Sequence, residues 1–115
     1  MFKIDHYDFG EIVINGKRYT NDVIILPDRV ISDWWREEGH NLKLVDIFDI
    51  LDEDFEYLII GTGYYGRMSV EDEVIKEFEK RGKRVFIYRT KEAVREYNNL
   101  VESGKKVAAA LHLTC

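Results

Sequence analysis

The stretch from Phe55 to Thr90 constrains this chain more than any other. It reads Phe55-Glu-Tyr-Leu-Ile-Ile60, then Gly61-Thr-Gly-Tyr-Tyr-Gly66, then an amphipathic run from Ser69 to Arg81, then Lys83-Arg-Val-Phe-Ile-Tyr88. A short apolar run, a glycine-rich loop, a helix and a second apolar run are the parts of a βαβ unit. Its strands should lie parallel in one sheet, joined by a right-handed crossover. Ser69 with Asp72 three positions on is a capping signal, and Val70, Val74, Ile75 and Phe78 form the apolar stripe of the helix it would open. Gly82 stands where a helix commonly stops.

The pattern then repeats. After the strand Val85–Tyr88, Thr90 is placed to cap a second helix whose stripe is Ala93, Val94, Tyr97, Leu100 and Val101, with Gly104 as its stop. Lys106–Leu113 is a run of small apolar residues suited to a central strand on which helices pack closely. The second half therefore reads βαβαβ. The first half is an antiparallel β system. Asn15-Gly16 between Ile12–Ile14 and Lys17–Tyr19 is a type I′ hairpin signal, and Pro27-Asp28 turns a second pair, Asp22–Leu26 with Arg29–Trp34. Between the halves, Leu44–Leu51 predicts a short helix with Val45, Phe48 and Leu51 inward and Asp46 and Asp49 outward.

At 115 residues and 45% hydrophobic, the chain can bury one continuous core, so residues 1–115 should form one domain. The net charge of -5 and pI of about 5.2 argue against general affinity for nucleic acid. Charge is uneven: residues 1–65 carry 6 Lys+Arg against 14 Asp+Glu, and residues 66–115 carry 11 against 8. Cys115 is the single cysteine, which leaves no internal disulfide and no cysteine metal cluster. With no signal-like N-terminus and no apolar run of roughly 18 residues, a cytoplasmic protein without a membrane span is expected. The absence of Gln, the single Pro and the 34% charged fraction resemble thermophile composition.

Two clusters are candidates for function. Gly61-Thr-Gly-Tyr-Tyr-Gly66 has the letters of a dinucleotide fingerprint, but its third glycine precedes the expected helix by several residues. The next strand ends Tyr88-Arg89-Thr90 with no acid for a ribose, so no NAD or other cofactor is expected. The milder reading uses the crevice beyond the carboxyl ends of the strands, where Gly61, Thr62, Gly63, Arg67, Ser69, Arg89 and Thr90 would gather. Helix N–H groups and two guanidinium groups there would favour a small anion or an acidic side chain. The competing reading is a tight turn with ordinary caps. Trp34, Trp35, Arg36 and His40 form the second cluster and would suit a partner surface; alternatively one Trp fills the core and the other covers an edge. His6, His40 and His112 lie in no paired ligand motif, so no metal site is expected, and no nucleophile, base and oxyanion donor assemble into a catalytic set.

Asp22-Val-Ile-Ile, Trp35-Arg36 with Gly39-His40, Ile60-Gly-Thr-Gly63, Thr90 with Ala93, Tyr97-Asn98 with Leu100, and Lys106-Val-Ala-Ala-Ala-Leu together resemble the Mth-nine-three-eight-like domain family. The resemblance spans nearly the whole chain. It implies a three-layer α/β fold around a central mixed sheet of about five strands. Relatives include an adipogenesis-associated protein and an assembly factor of mitochondrial respiratory complex I. The expectation is a non-catalytic interaction or assembly module with a protein partner; the alternative is a domain that binds a small anion or nucleotide phosphate through the Gly61–Ser69 loop. Whether it acts as a monomer or a homodimer stays open.

Overall fold

The computed structural model describes all residues from Met1 to Cys115. Its centre is a five-stranded mixed sheet built from β4 (Val23–Ile25), β5 (Val30–Ile31), β7 (Tyr57–Thr62), β9 (Arg84–Tyr88) and β10 (Val107–His112), in the order β5-β4-β10-β7-β9. β7, β9 and β10 are mutually parallel, and β4 runs antiparallel to β10. The chain steps outward from β7 to β9 through α1 (Asp72–Lys80) and returns to β10 through α2 (Thr90–Glu102). The two helices lie on opposite faces, the arrangement that two crossovers of one hand produce.

Strand alternation divides the core. Ile24, Leu58, Ile60, Ala108 and Ala110 face α1 with Val74 and Phe78, and Trp34, Ile47 and Ile50 close that layer. Val23, Ile25, Ile59, Ala109 and Leu111 face the other way, toward Ala93, Tyr97 and Val101 of α2 and toward Ile4, Ile12 and Ile14. The last three belong to a separate three-stranded antiparallel sheet of β1 (Ile4–Asp8), β2 (Glu11–Ile14) and β3 (Lys17–Tyr19). The α2 stripe and the all-buried central strand stand as the sequence predicts. So does the hairpin, whose Asn15 and Gly16 both take positive φ, 47° and 80°, as a type I′ turn requires.

β1 escaped the sequence reading because Asp5 and His6 hide its alternation. It is held from α2: the Asn98 side chain accepts from Ile4 N–H at 3.0 Å and donates to Ile4 C=O at 2.8 Å, acting as one more rung of a ladder. Tyr97 beside it donates to Phe2 C=O at 2.8 Å, which gives the Tyr-Asn pair a structural task.

Three expectations need correction. Leu44–Leu51 is two turns of 3₁₀ helix, Leu44–Asp46 and Phe48–Ile50, instead of one α-helix. At three residues per turn the inward positions become Ile47 and Ile50, with Leu51, while Val45 and Phe48 are exposed. Asp46 is no outward charge either: it accepts from Glu37 N–H and Lys43 N–H. Ser69 does not open α1, which starts at Asp72; Ser69–Val70 form β8, a short parallel partner of β6 (Asn41–Leu42). Thr90 is the first residue of α2 and does not cap it with its side chain. No helix is long and apolar enough to cross a membrane.

Candidate functional site

The parallel strands β7, β9 and β10 end together at the edge where open α/β sheets bind ligands, and both candidate clusters converge there. The glycine loop leaves β7 after Thr62 and closes on the protein itself. Gly63 N–H donates to Thr90 Oγ1 at 2.8 Å, and that hydroxyl in turn donates to His112 C=O at 2.6 Å. Tyr64 N–H reaches Thr114 C=O at 2.7 Å, and Arg67 N–H reaches Cys115 C=O at 3.2 Å. Gly66, Met68 and Ser69 donate to Gly63, Thr62 and His40. Two of the glycines make room for this lock. A Cβ on Gly61 would stand 2.8 Å from Thr90 Oγ1, and one on Gly63 (φ +110°) would stand 2.6 Å from Cys115 C=O. The fingerprint spacing thus serves close approach within the protein.

Of the loop candidates, Gly61, Thr62, Gly63, Arg89 and Thr90 come together. Thr62 Oγ1 donates to Tyr88 C=O, and Arg89 lays its stem against Gly66 while donating to Tyr64 C=O at 2.8 Å. Arg67 stays on the exposed rim, its guanidinium 5.8 Å from the centre of the Tyr65 ring. Ser69 lies apart from them, with its hydroxyl on His40 C=O and Asn41 Oδ1.

The second cluster divides. Trp34 is in the core with its indole N–H on Asp46 C=O at 2.8 Å, whereas Trp35 is 76% exposed. His40 is exposed, but the Arg36 side chain is only 4% exposed and stacks over the Trp34 ring at 4.8 Å. Arg36 donates to Asp22 Oδ2 at 2.8 Å and to Gly39 C=O at 2.9 Å. His112, the residue that ends β10, brings Nδ1 within 2.8 Å of the same carboxylate oxygen, and Leu113 N–H donates to Asp22 Oδ1 at 2.8 Å. With Asp22 ionised, His112 is oriented with Nδ1–H donating to it. The side chains of Asp22 and His112 are 14% and 7% exposed, so this is a buried network.

Burial alone opposes ionisation of Asp22 and is the largest single influence on it. The bonds from His112, Leu113 N–H and Arg36 together outweigh it and hold the carboxyl below its ordinary value. His112 Nε2 and Arg36 Nε are buried without partners. Asp22 also borders a surface cavity of about 340 Å³ between Thr20–Asp22, Asp33–Trp35 and Thr114.

Sequence reasoning missed Asp22 and His112. The one available signal was His112 itself, a single polar side chain at the end of a strand of small apolar residues. A buried imidazole there has to find a partner.

Beyond the engaged loop, the edge is aromatic. Tyr7, Phe9, Tyr64 and Tyr65 form a chain of rings with centroids 5.1–6.3 Å apart. Burial pushes the Tyr7 hydroxyl up to about 12, and it donates to Leu113 C=O at 2.9 Å. Phe9 and Tyr65 remain 47% and 58% exposed.

Residues 4–112 match the family described as "Protein of unknown function (DUF498/DUF598)". Among curated proteins, the human NADH dehydrogenase [ubiquinone] 1 alpha subcomplex assembly factor 3 is 28% identical over 111 residues, covering 94% of this chain and 59% of that protein. The chain thus spans about three fifths of the curated relatives it matches. Among solved structures, the conserved hypothetical protein PH1505 from Pyrococcus horikoshii OT3 is 32% identical with a TM-score of 0.79, covering 98% of this chain and 99% of that one. A Mth938-like domain protein from Bordetella pertussis aligns over 96% of this chain and 85% of its own with a TM-score of 0.79 at 21% identity, a likeness of fold.

Proposed function

We propose that this chain, which belongs to the family of unknown function DUF498/DUF598, is a non-catalytic, cytoplasmic interaction module acting in the assembly of a protein complex. The observation that carries this reading is the carboxyl edge of the sheet. It presents exposed Phe9 and Tyr65 beside backbone fixed by hydrogen bonds at Gly10, Tyr64 and Gly66, with exposed Trp35 on the neighbouring segment, and large aromatic side chains on a rigid support are what protein interfaces use as anchors. Similarity to a human assembly factor across nearly this whole chain supports the same direction. The non-catalytic part is supported by His112. Its pairing with Asp22 has the form of an acid–base dyad, but Nε2, the atom that would exchange a proton with a substrate, is buried out of contact with solvent.

The test is native isolation of the tagged chain from its source cells, followed by mass measurement of the intact complex. A stoichiometric protein partner, weakened by Trp35→Ala with Tyr65→Ala, is the expected result. A chain that elutes alone under all native conditions overturns the reading. The anion alternative at Gly61, Thr62, Gly63, Arg67, Ser69, Arg89 and Thr90 is favoured by one observation, that the Arg67 and Arg89 guanidinium groups pair with no carboxylate. Calorimetry with phosphate, nucleotides and dicarboxylates tests it, and silence removes it.

A further inference from the structure

Resting on the interaction-module reading, we propose that the Tyr64–Arg67 loop and the rings around it dock an acidic, partly apolar segment of a protein partner. The guanidinium groups of Arg18, Arg29, Arg36 and Arg81 all sit in ion pairs. Of the arginines that sit in none, Arg84 lies over the Tyr57 and Phe86 rings of the outer strand and Arg95 stands on α2. Arg67 and Arg89 flank this one loop, unpaired although the chain carries 22 acidic residues against 17 basic ones. Arg67 is spread over the exposed Tyr65 ring. Arg89 uses Nη2 on Tyr64 C=O, which anchors its fork at the surface and leaves other N–H groups turned outward. The carboxylate next to Phe9, on Asp8, bends back onto Phe9 N–H at 2.8 Å. Two uncompensated arginines beside exposed rings in an acidic protein make a patch whose counter-charge comes from outside.

The chemistry of that counter-charge follows from the loop's backbone. A backbone cradle for phosphate needs converging free N–H groups, and those of Gly63, Tyr64, Gly66, Arg67, Met68 and Ser69 are already bonded within the protein, which leaves only side chains to meet an anion. What remains is the Arg67 guanidinium over the exposed Tyr65 ring, the Arg89 fork at Tyr64 C=O, and Phe9 beside Tyr65. Carboxylates interleaved with apolar side chains use all of it, because the rings reward only a ligand that brings carbon.

The test titrates the full-length ¹⁵N-labelled chain with the peptide Ac-ELEEFE-amide, with its Lys-for-Glu counterpart, and with inorganic phosphate. Saturable amide shifts at Phe9, Tyr65 and Arg67 with the acidic peptide alone are expected. Arg67→Glu should weaken them by about tenfold, with the melting temperature unchanged. Equal shifts with phosphate would make the patch a small-anion site and overturn the proposal. Shifts that depend on protein concentration without peptide would assign the surface to a second copy and overturn it as well. So would no shift at all. If the peptide fails while wild type and Arg67→Glu both retain a stoichiometric cellular partner, the docking surface falls and the interaction module stands; if no partner is retained either, both fall.

Discussion

The Gly61–Met68 loop and the Trp34–Leu42 segment meet at the same sheet edge, yet they are held by opposite means. The loop is fastened almost wholly through backbone N–H groups, which reach Thr114 and Cys115 C=O and the Thr90 hydroxyl. The segment is tied through backbone at its ends, with Trp34 N–H on Asp22 C=O and His40 and Leu42 C=O under Ser69 and Glu71 N–H, but its Trp35–Gly39 middle hangs on side chains: Arg36 on Asp22 and Gly39, Trp34 on Asp46, and Asp22 on Leu113. The difference sets where sequence is free to change. A backbone-held loop can vary Tyr64, Tyr65 and Arg67 without losing its course, so recognition is cheap to place there. A side-chain-held segment ties its course to a few identities, and those residues are structural keystones.

Removing a keystone should therefore have the largest effect. Asp22→Ala leaves Arg36 as a buried cation without its counter-ion and deprives Leu113 N–H and His112 of their acceptor. Chemical denaturation should show a loss of about 3–5 kcal/mol. A loss under about 1 kcal/mol would mean that the segment is held by something else. The loop should be breakable only through its backbone. Gly63→Ala demands φ +110° of alanine and drives its Cβ into the carbonyl oxygens of Thr114 and Cys115 at 2.7 and 2.6 Å. It should cost about 3 kcal/mol. Thr90→Val keeps the shape of the fully buried side chain but strips the hydroxyl from Gly63 N–H and His112 C=O, an expected loss of about 2 kcal/mol.

The same division explains what the sequence disclosed. Periodicity and turn chemistry are local, so the βαβαβ half, the α2 stripe and the Asn15-Gly16 hairpin were legible. The glycine loop was legible as a tight strand exit, though not its lock on residues 114–115, because a C=O acceptor carries no residue identity. The Leu44–Leu51 turns were misread because apolar spacings of about 3.0 and 3.6 residues overlap over so short a run. The Asp22–Arg36–His112 network was invisible as a unit. His112 stands 76 positions from Arg36 and 90 from Asp22, and only the fold's return through β10 brings them together.

The pH dependence sharpens the comparison with a smaller effect. The folded carboxyl of Asp22 is held below its ordinary value of 3.8, so its contribution to stability is present above that value and is lost as pH falls through the folded value. Acid unfolding curves of wild type should steepen below pH 3.8, and Asp22→Asn should remove that component. A slope unchanged in Asp22→Asn would place the acid sensitivity in other carboxylates.

The smallest expected effect on stability is the most telling one for function. Tyr65→Ala with Arg67→Ala removes two side chains that make no hydrogen bond or ion pair with the rest of the chain, while the Arg67 N–H that holds Cys115 C=O is kept. If the loop is held by its backbone, the denaturation midpoint and the amide exchange of Tyr64 and Arg67 should stay as in wild type. Capture of the acidic peptide should be lost in the same protein. A fall in the midpoint comparable with that of Thr90→Val would show that the rings brace the loop after all, and the contrast between the two segments would fail at the point where it assigns recognition to one and structure to the other.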